Sequence, residues 1–164
     1  FISVHLFAPY FYPGIGGIHE IGVGRGRDYT FNVPLPPYVG DVGYRRVFDE
    51  LVQPRLEQFQ PELLLISAGF DAHWQDPLAM AGLSLTGYTD ITRKLIAYAD
   101  TFCEGRLLFV LEGGYQLDVL TTGIANVFHA LLRHDIVVDP FGPMPRAEHD
   151  ISGLLERLKH HYLL

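Results

Sequence analysis

Uninterrupted apolar runs in this chain alternate with segments in which apolar residues recur at helical spacing. Two short runs, Leu63–Ile66 and Leu107–Leu111, predict strands that are buried on both faces, as in a parallel sheet. Helical spacing predicts helices over Tyr44–Phe59 and Gln116–Arg133, and Pro54 is expected to kink or split the first of them. The order of strands and helices predicts an α/β layered fold with a mostly parallel sheet.

The same pattern predicts the remaining elements. A middle helix is expected to begin near Thr86, a suitable N-cap residue, and to end at Gly105. Phe1–Phe7 alternates and predicts a strand without a lead-in, so we expect the chain to begin inside a fold. A proline-rich loop is expected at 139–146, and a short amphipathic helix closes the chain with Leu154, Leu155 and Leu158. The face of the Gln116–Arg133 helix that is expected to point inward consists of Leu117, Leu120, Ile124, Val127, Phe128 and Leu131.

Composition narrows the class of protein. The 164 residues are 48% hydrophobic and 19% charged, which suits one globular domain with a single core. No apolar run approaches the roughly 20 residues of a membrane span, so no membrane partner is expected. A net charge of -7 argues against nucleic acid as a partner and would suit a cationic substrate. Cys103 is the single cysteine, so this chain forms no internal disulfide, and we expect a cytoplasmic location.

Polar residues follow the first apolar run directly and are the main candidates for chemistry. Asp71 and His73 come just past the carboxyl end of that strand, where ligands collect in open α/β sheets. In extended chain their side chains would point the same way and could hold zinc. The alternative is that Asp71 caps a turn and His73 bonds a backbone carbonyl. The bare Asp-x-His pattern does not decide between them.

Two loops before the first helix carry weaker signals. Prolines and glycines in residues 8–17 surround Tyr10, Phe11 and Tyr12, whose rings either line a pocket or pack over the core. Gly22–Arg27 looks like a phosphate loop, but the strand-like Tyr29–Val33 follows it where a nucleotide fold requires a helix. A nucleotide-dependent enzyme is therefore the weakest interpretation of this sequence.

Three motifs, in order along the chain, resemble the histone deacetylase superfamily, which has the arginase-deacetylase fold. They are SVHLFAPYFYPGIGG with IGVGRGRDYTFNVPL, then SAGFDAHWQDPL, then VLEGGY. The resemblance covers residue 1 to about residue 132 and looks most like the bacterial deacetylase-like and acetylpolyamine amidohydrolase-like branch. It implies that residues 1–164 are the C-terminal part of a single three-layer α/β domain whose N-terminal portion is missing. Residues 133–164 carry no motif.

The resemblance implies roles for individual residues. Asp71 falls on a zinc ligand, and Tyr115 falls on the tyrosine that hydrogen-bonds the substrate carbonyl and stabilises the oxyanion. His73 does not fall on a zinc ligand and is expected to shape the rim behind it. Gly113 and Gly114 allow the backbone to approach the site closely, where a Cβ would clash.

The substrate channel and two potassium sites are implied in the same way. Tyr12 and Leu78 fall on walls of the channel, and Tyr12 stands where the family usually has Phe. Ser3 and Val4 match part of an inner potassium site, and Tyr29 matches a carbonyl donor of an outer one. Zinc is thus the implied cofactor, with potassium as an additional ion.

The implied activity is zinc-dependent hydrolysis of an acetyl or other acyl amide of a lysine or polyamine. The family's other two zinc ligands and its tandem His base would precede Phe1, so we expect this chain alone to be inactive. One alternative is a non-catalytic binding or regulatory module of the same fold. Another is a different arginase-fold metal hydrolase, against which EGGY argues because its tyrosine belongs to amide deacylation. The sequence predicts no oligomeric state.

Overall fold

The computed structural model describes residues 1–164, in which two parallel strand pairs are joined by helices. The strands are β1 Ile2–Leu6, β2 Phe31–Leu35, β3 Leu64–Ala68 and β4 Leu107–Leu111. The helices are α1 Asp41–Val47, α2 Gln53–Phe59, α3 Leu85–Phe102, α4 Leu117–Leu131 and α5 Ser152–Tyr162. A π-helical turn, Phe48–Val52, joins α1 to α2, and a single 3-10 turn spans Gly24–Gly26.

Both strand pairs are parallel. β1 pairs with β2 from Ile2 opposite Phe31 to Leu6 opposite Leu35. β3 pairs with β4 from Leu64 opposite Leu107 to Ala68 opposite Leu111. This pairing confirms the predicted α/β architecture with parallel strands, because parallel neighbours require crossover connections such as α3 between β3 and β4.

β2 runs through the core and is covered on both sides. Phe31, Val33 and Leu35 are buried, and so is the polar Asn32 between them. The other buried residues of this cluster come mainly from α1, the π turn, α2, α3 and α5, and include Val47, Leu51, Leu56, Leu95, Leu155 and Leu158. The predicted final helix is therefore confirmed as a core element through Leu155 and Leu158.

The prediction that β3 and β4 are buried on both faces is wrong for residues 1–164. Leu64 is buried and Ile66 packs against the core, but Leu65 is 65% exposed. On β4, Leu108 is likewise 53% exposed, on the same face as Leu65, its partner in the ladder. An uninterrupted apolar run does not show which of its alternating side chains finds a partner, because that depends on elements elsewhere.

The predicted inward face of α4 is also wrong. The residues that are buried are Val119, Gly123, Asn126 and Ala130, whereas Leu117 and Phe128 are more than half exposed. Gly123 and Ala130 are small and let α4 approach its neighbours closely; a Cβ at Gly123 would lie 2.5 Å from the Phe70 ring. Close packing of small residues, rather than the largest apolar stripe, therefore sets the rotation of this helix.

The structure corrects two helix boundaries. α3 begins one turn earlier than expected, because Ser84 is its N-cap and its hydroxyl accepts a hydrogen bond from the Gly87 N–H at 3.0 Å. The first helical stretch runs from Asp41 to Phe59 with the π turn inside it, and Pro54 lies in the first turn of α2. The widened turn leaves room for a residue that lacks an N–H.

None of these helices combines the length and the apolar character that would let it cross a membrane.

Candidate active site

The candidate site lies just past the carboxyl ends of β3 and β4, where the backbones of the two following loops stay joined. The Glu112 N–H donates to the Ala68 carbonyl at 3.1 Å, and the Phe70 N–H donates to the Gly113 carbonyl at 2.9 Å. The loop with Asp71 and the loop with Tyr115 are therefore neighbours, as parallel pairing of β3 and β4 requires.

The Asp71 carboxylate sits between two glycines. A Cβ on Gly113 would lie 2.7 Å from Oδ2 of Asp71, and a Cβ on Gly69 would lie 2.7 Å from Oδ1. Any other residue at either position would collide with the carboxylate. Gly69, which sequence reasoning did not single out, thus belongs to the same cradle as Gly113.

Burial raises the pKa of Asp71 above the ordinary range for a carboxyl, and the neighbouring Asp76 adds to the rise. Only its own backbone N–H donates a hydrogen bond that favours the charged form. A half-buried carboxylate with so little support is chemically suited to a cation, so Asp71 fits the expected role of a metal ligand. Residues 1–164 contain no group of three or more His, Cys, Asp or Glu side chains arranged to hold a metal ion. The chain thus supplies one candidate ligand.

His73 does not stand beside Asp71 in extended chain, so that local prediction is wrong. Asp71 and Ala72 form a turn, and the His73 ring is fully buried between Trp74 and Phe141. Its Nδ1 accepts a hydrogen bond from the Gln75 N–H at 3.1 Å, while its buried Nε2 has no partner. Burial lowers the pKa of His73, so the ring is held neutral and supports the loop from beneath.

Tyr115 follows the Gly113-Gly114 pair, and its ring is exposed. Its backbone N–H donates to Oδ2 of Asp76 at 2.9 Å, which ties the loop after β4 to the loop after β3. Gly114 adopts a φ of +131°, and a Cβ there would lie 3.0 Å from that of Phe70. The expected requirement for glycine at this position therefore has a conformational and a steric cause.

Two residues near the site were missed by sequence reasoning. Asp76 precedes Pro77, and an Asp-Pro pair signals only a local turn. Tyr88, on α3, donates its hydroxyl to the Gly69 carbonyl at 3.0 Å, and its ring packs 5.1 Å from that of Phe70. Burial raises the pKa of Tyr88 well above its ordinary value, so it stays a hydrogen-bond donor. No sequence signal distinguished it from the other apolar positions of α3.

The other residues assigned by resemblance lie at the surface or on the first strand pair. Tyr12 and Leu78 are exposed, so their rings and side chains are free to line a channel. Ser3 and Val4 lie in β1, where the Ser3 hydroxyl and Nδ1 of His5 are 2.8 Å apart. The Tyr29 carbonyl accepts a hydrogen bond from the Phe1 amino group at 2.8 Å.

Residues 133–164 carry no motif, yet they hold the loop that bears Asp71. The Trp74 indole N–H donates to the Gly142 carbonyl at 2.9 Å, and Phe141 packs edge-on to His73. Asp139 accepts hydrogen bonds from the N–H and hydroxyl of Thr86, both at 2.9 Å, at the start of α3. The segment thus fixes the loop from outside while α3 supports it from within.

The comparison with protein families agrees with this arrangement. A model of the histone deacetylase domain matches residues 1–131. An α/β protein with its candidate site at the carboxyl edge of parallel strands is the class that the geometry defines. The chain belongs to the histone deacetylase family, which confirms the resemblance found in the sequence.

Individual relatives show how much of the family this chain represents. A probable deacetylase of Archaeoglobus fulgidus is 45% identical over 118 residues, which cover 72% of this chain and 32% of that protein. The chloroplastic histone deacetylase 14 of Arabidopsis thaliana is 40% identical over 141 residues, which cover 86% of this chain and 33% of that protein. The chain spans about a third of the length of these curated relatives.

Solved structures confirm the fold. The crystal structure of the HDA15 HD domain matches with a TM-score of 0.80 at 33% identity, over 99% of this chain and 42% of that chain. The structure of the histone deacetylase Clr3 matches with a TM-score of 0.83 at 28% identity, over 98% and 27%.

Proposed function

We propose that the protein containing this chain is a zinc-dependent deacetylase that hydrolyses the acyl amide of an acylated lysine or polyamine. Membership of the family supports deacetylation as the class of reaction. The observation that carries the finer proposal is the Asp71 carboxylate, half-buried with little hydrogen-bond support between Gly69 and Gly113, next to the loop that bears Tyr115.

Each residue at this edge has a distinct task in the proposal. Asp71 supplies one carboxylate oxygen to zinc, and the bound metal would act as a Lewis acid on the acyl group. The Tyr115 hydroxyl donates a hydrogen bond to the acyl oxygen as negative charge develops on it. Tyr12 and Leu78 line the channel for the apolar stem of the acylated amine, and the Tyr12 hydroxyl adds a polar group to that wall.

The central test of the proposal is the Tyr115→Phe variant of the complete protein, assayed on an acetyl-lysine peptide and on an acetylated polyamine. The change removes only the hydroxyl, so kcat should fall about 100-fold or more, as for other oxyanion donors. A kcat near that of the unchanged protein would rule out the oxyanion role.

Zinc analysis tests the other half of the proposal. Asp71→Ala should abolish stoichiometric zinc, because a catalytic site needs three protein ligands. Asp118→Ala, which removes an exposed carboxylate in the first turn of α4, is the matched control and should keep the metal. Full zinc retention by Asp71→Ala would contradict the ligand role. A protein that binds no zinc at all and hydrolyses neither substrate would instead favour the non-catalytic module.

We further propose that potassium binds near Ser3, Val4 and Tyr29, on the strength of the motif match alone. The cytoplasmic location and the inactivity of residues 1–164 by themselves remain predictions. Partial proteolysis or expression of this chain alone, followed by the same assay, would test the latter.

A further inference from the structure

We propose that Asp76 is a positioning residue that holds Tyr115 through its backbone and so sets the place of the catalytic hydroxyl. The inference rests on the proposed function and extends it to a residue outside the ligand and the oxyanion donor. Asp76 is 7% exposed, so its carboxylate is almost completely removed from solvent.

Both oxygens of this carboxylate are occupied. Oδ1 accepts hydrogen bonds from the Leu78 N–H at 2.9 Å and the Ala79 N–H at 3.2 Å. Oδ2 accepts from the Tyr115 N–H at 2.9 Å, across 39 residues of chain. A buried carboxylate is tolerated only where such bonds satisfy it, and bonds to a charged acceptor are among the strong ones.

The two oxygens have different tasks. The bonds of Oδ1 close a local turn over Pro77, which any residue with one side-chain oxygen at this position could also form. The bond of Oδ2 reaches the loop after β4 and contributes nothing to that turn. A second acceptor oxygen is therefore needed for Tyr115 and for no other contact of Asp76.

Tyr115 depends on this bond more than a core residue would. Its ring is exposed, so packing does not fix it, and the preceding Gly114 has a φ of +131°, where glycine is conformationally free. An oxyanion donor acts only at hydrogen-bond distance from the developing charge, and a shift of 1 Å is enough to reduce rate strongly. The carboxylate also keeps Leu78, a proposed channel residue, in register with Tyr115.

The Asp76→Asn substitution separates the two tasks. The amide retains one oxygen for the local turn, but its NH₂ group then faces the Tyr115 N–H, and two donors repel. In the complete protein we expect kcat to fall about 10- to 100-fold with KM changed far less, since misplacement acts mainly on the transition state. In the Tyr115→Phe background the same substitution should lower kcat less than about 2-fold, because its effect passes through the lost hydroxyl.

A second measurement does not depend on activity. Amide hydrogen exchange at Tyr115 should accelerate by about 10-fold or more in Asp76→Asn, because its N–H loses its acceptor. Zinc content should stay unchanged. Glu148→Gln is the matched control, because Glu148 also accepts three backbone N–H bonds, from Gly40, Val42 and Gly43 at the start of α1. It should leave both kcat and Tyr115 exchange unaltered.

The outcomes separate this inference from the proposed function. Unchanged exchange at Tyr115, or effects of Asp76→Asn and Tyr115→Phe that multiply as for independent sites, would overturn the role of Asp76 while leaving the deacetylase proposal intact. A kcat of Tyr115→Phe near that of the unchanged protein would overturn the role of Tyr115 and, with it, any catalytic purpose of the Asp76 bond.

Discussion

The two strand pairs of this molecule reverse the relation between apolar sequence and burial. β2, which contains the polar Asn32, is buried on both faces, whereas β3 and β4, which are almost entirely apolar, each leave one face exposed. Asn32 is tolerated because every polar group on it is bonded. Its side-chain amide donates to the carbonyls of Gly17 and Glu20, and its backbone bonds the Tyr162 hydroxyl.

The difference shows how labour is divided in the chain. The first pair is packed inside the core against α5, and its stability rests on burial. The second pair ends in the loops that bear Asp71 and Tyr115, so its role is to present chemistry at a sheet edge. Satisfied hydrogen bonds decide which polar residues can be buried, and neighbouring elements decide which apolar residues are.

The largest expected effect is that of Phe31→Ala in β2. Phe31 is buried and its ring lies 4.0 Å from that of Tyr162, so the cavity should lower the free energy of unfolding by about 3–5 kcal/mol. Leu65→Ala, on the exposed face of β3, is the matched control and should cost less than about 1 kcal/mol. Urea unfolding of the complete protein measures both. Similar costs at the two positions would end the contrast between the strand pairs.

Tyr162→Phe tests whether the C-terminal helix satisfies β2. The hydroxyl accepts from the Asn32 N–H at 3.0 Å and donates to the Asn32 carbonyl at 2.9 Å. Its loss strands two buried backbone groups and should destabilise the protein by about 1–3 kcal/mol. Tyr10→Phe, at an exposed ring, is the control. An equally small effect of both substitutions in urea unfolding would show that β2 does not need this bond.

Asp139→Asn is expected to have the smallest effect, with a defined pH dependence. Burial by itself would raise the pKa of Asp139, but the bonds from Thr86, Gly142 and Phe141 outweigh it, and the pKa lies below the ordinary value. A lowered pKa stabilises the fold above the ordinary carboxyl pKa, and this contribution is lost as pH falls through the lowered folded value.

The variant should therefore lose about 1 kcal/mol at pH 7, the usual cost of a helix cap, and this loss should shrink towards zero below about pH 3. Thermal unfolding between pH 3 and pH 7 measures this, with Glu62→Gln, at an exposed side chain, as the control. A deficit that stays constant over the whole range would show that ionised Asp139 does not stabilise the start of α3.

Much of the fold was predictable from local pattern. The strands at β1, β3 and β4, the helix over α4 and the final helix were expected near their observed places, and the parallel α/β architecture is confirmed. Errors came where a distant residue decides. Ser84, rather than Thr86, caps α3, and Thr86 instead bonds Asp139, 53 residues away.

The candidate site was predictable in outline only. Asp71, Gly113 and Tyr115 were identified through motifs that follow two strands, and the two loops do lie side by side. The roles of Asp76 and Tyr88 were not predictable, because each acts on a residue far away in sequence. A turn signal such as Asp-Pro describes the oxygen that bonds locally and not the one that bonds across the site.

The sequence alone determined which segments form strands and helices, that the strands are parallel, and which family motifs stand at their ends, because these depend on neighbouring residues and on spacing. Tertiary structure decided which face of β3 is covered, how α4 is rotated, and which loops Asp76 and Asp139 join. Those outcomes depend on close packing and on hydrogen bonds between elements that the chain brings together only when it folds.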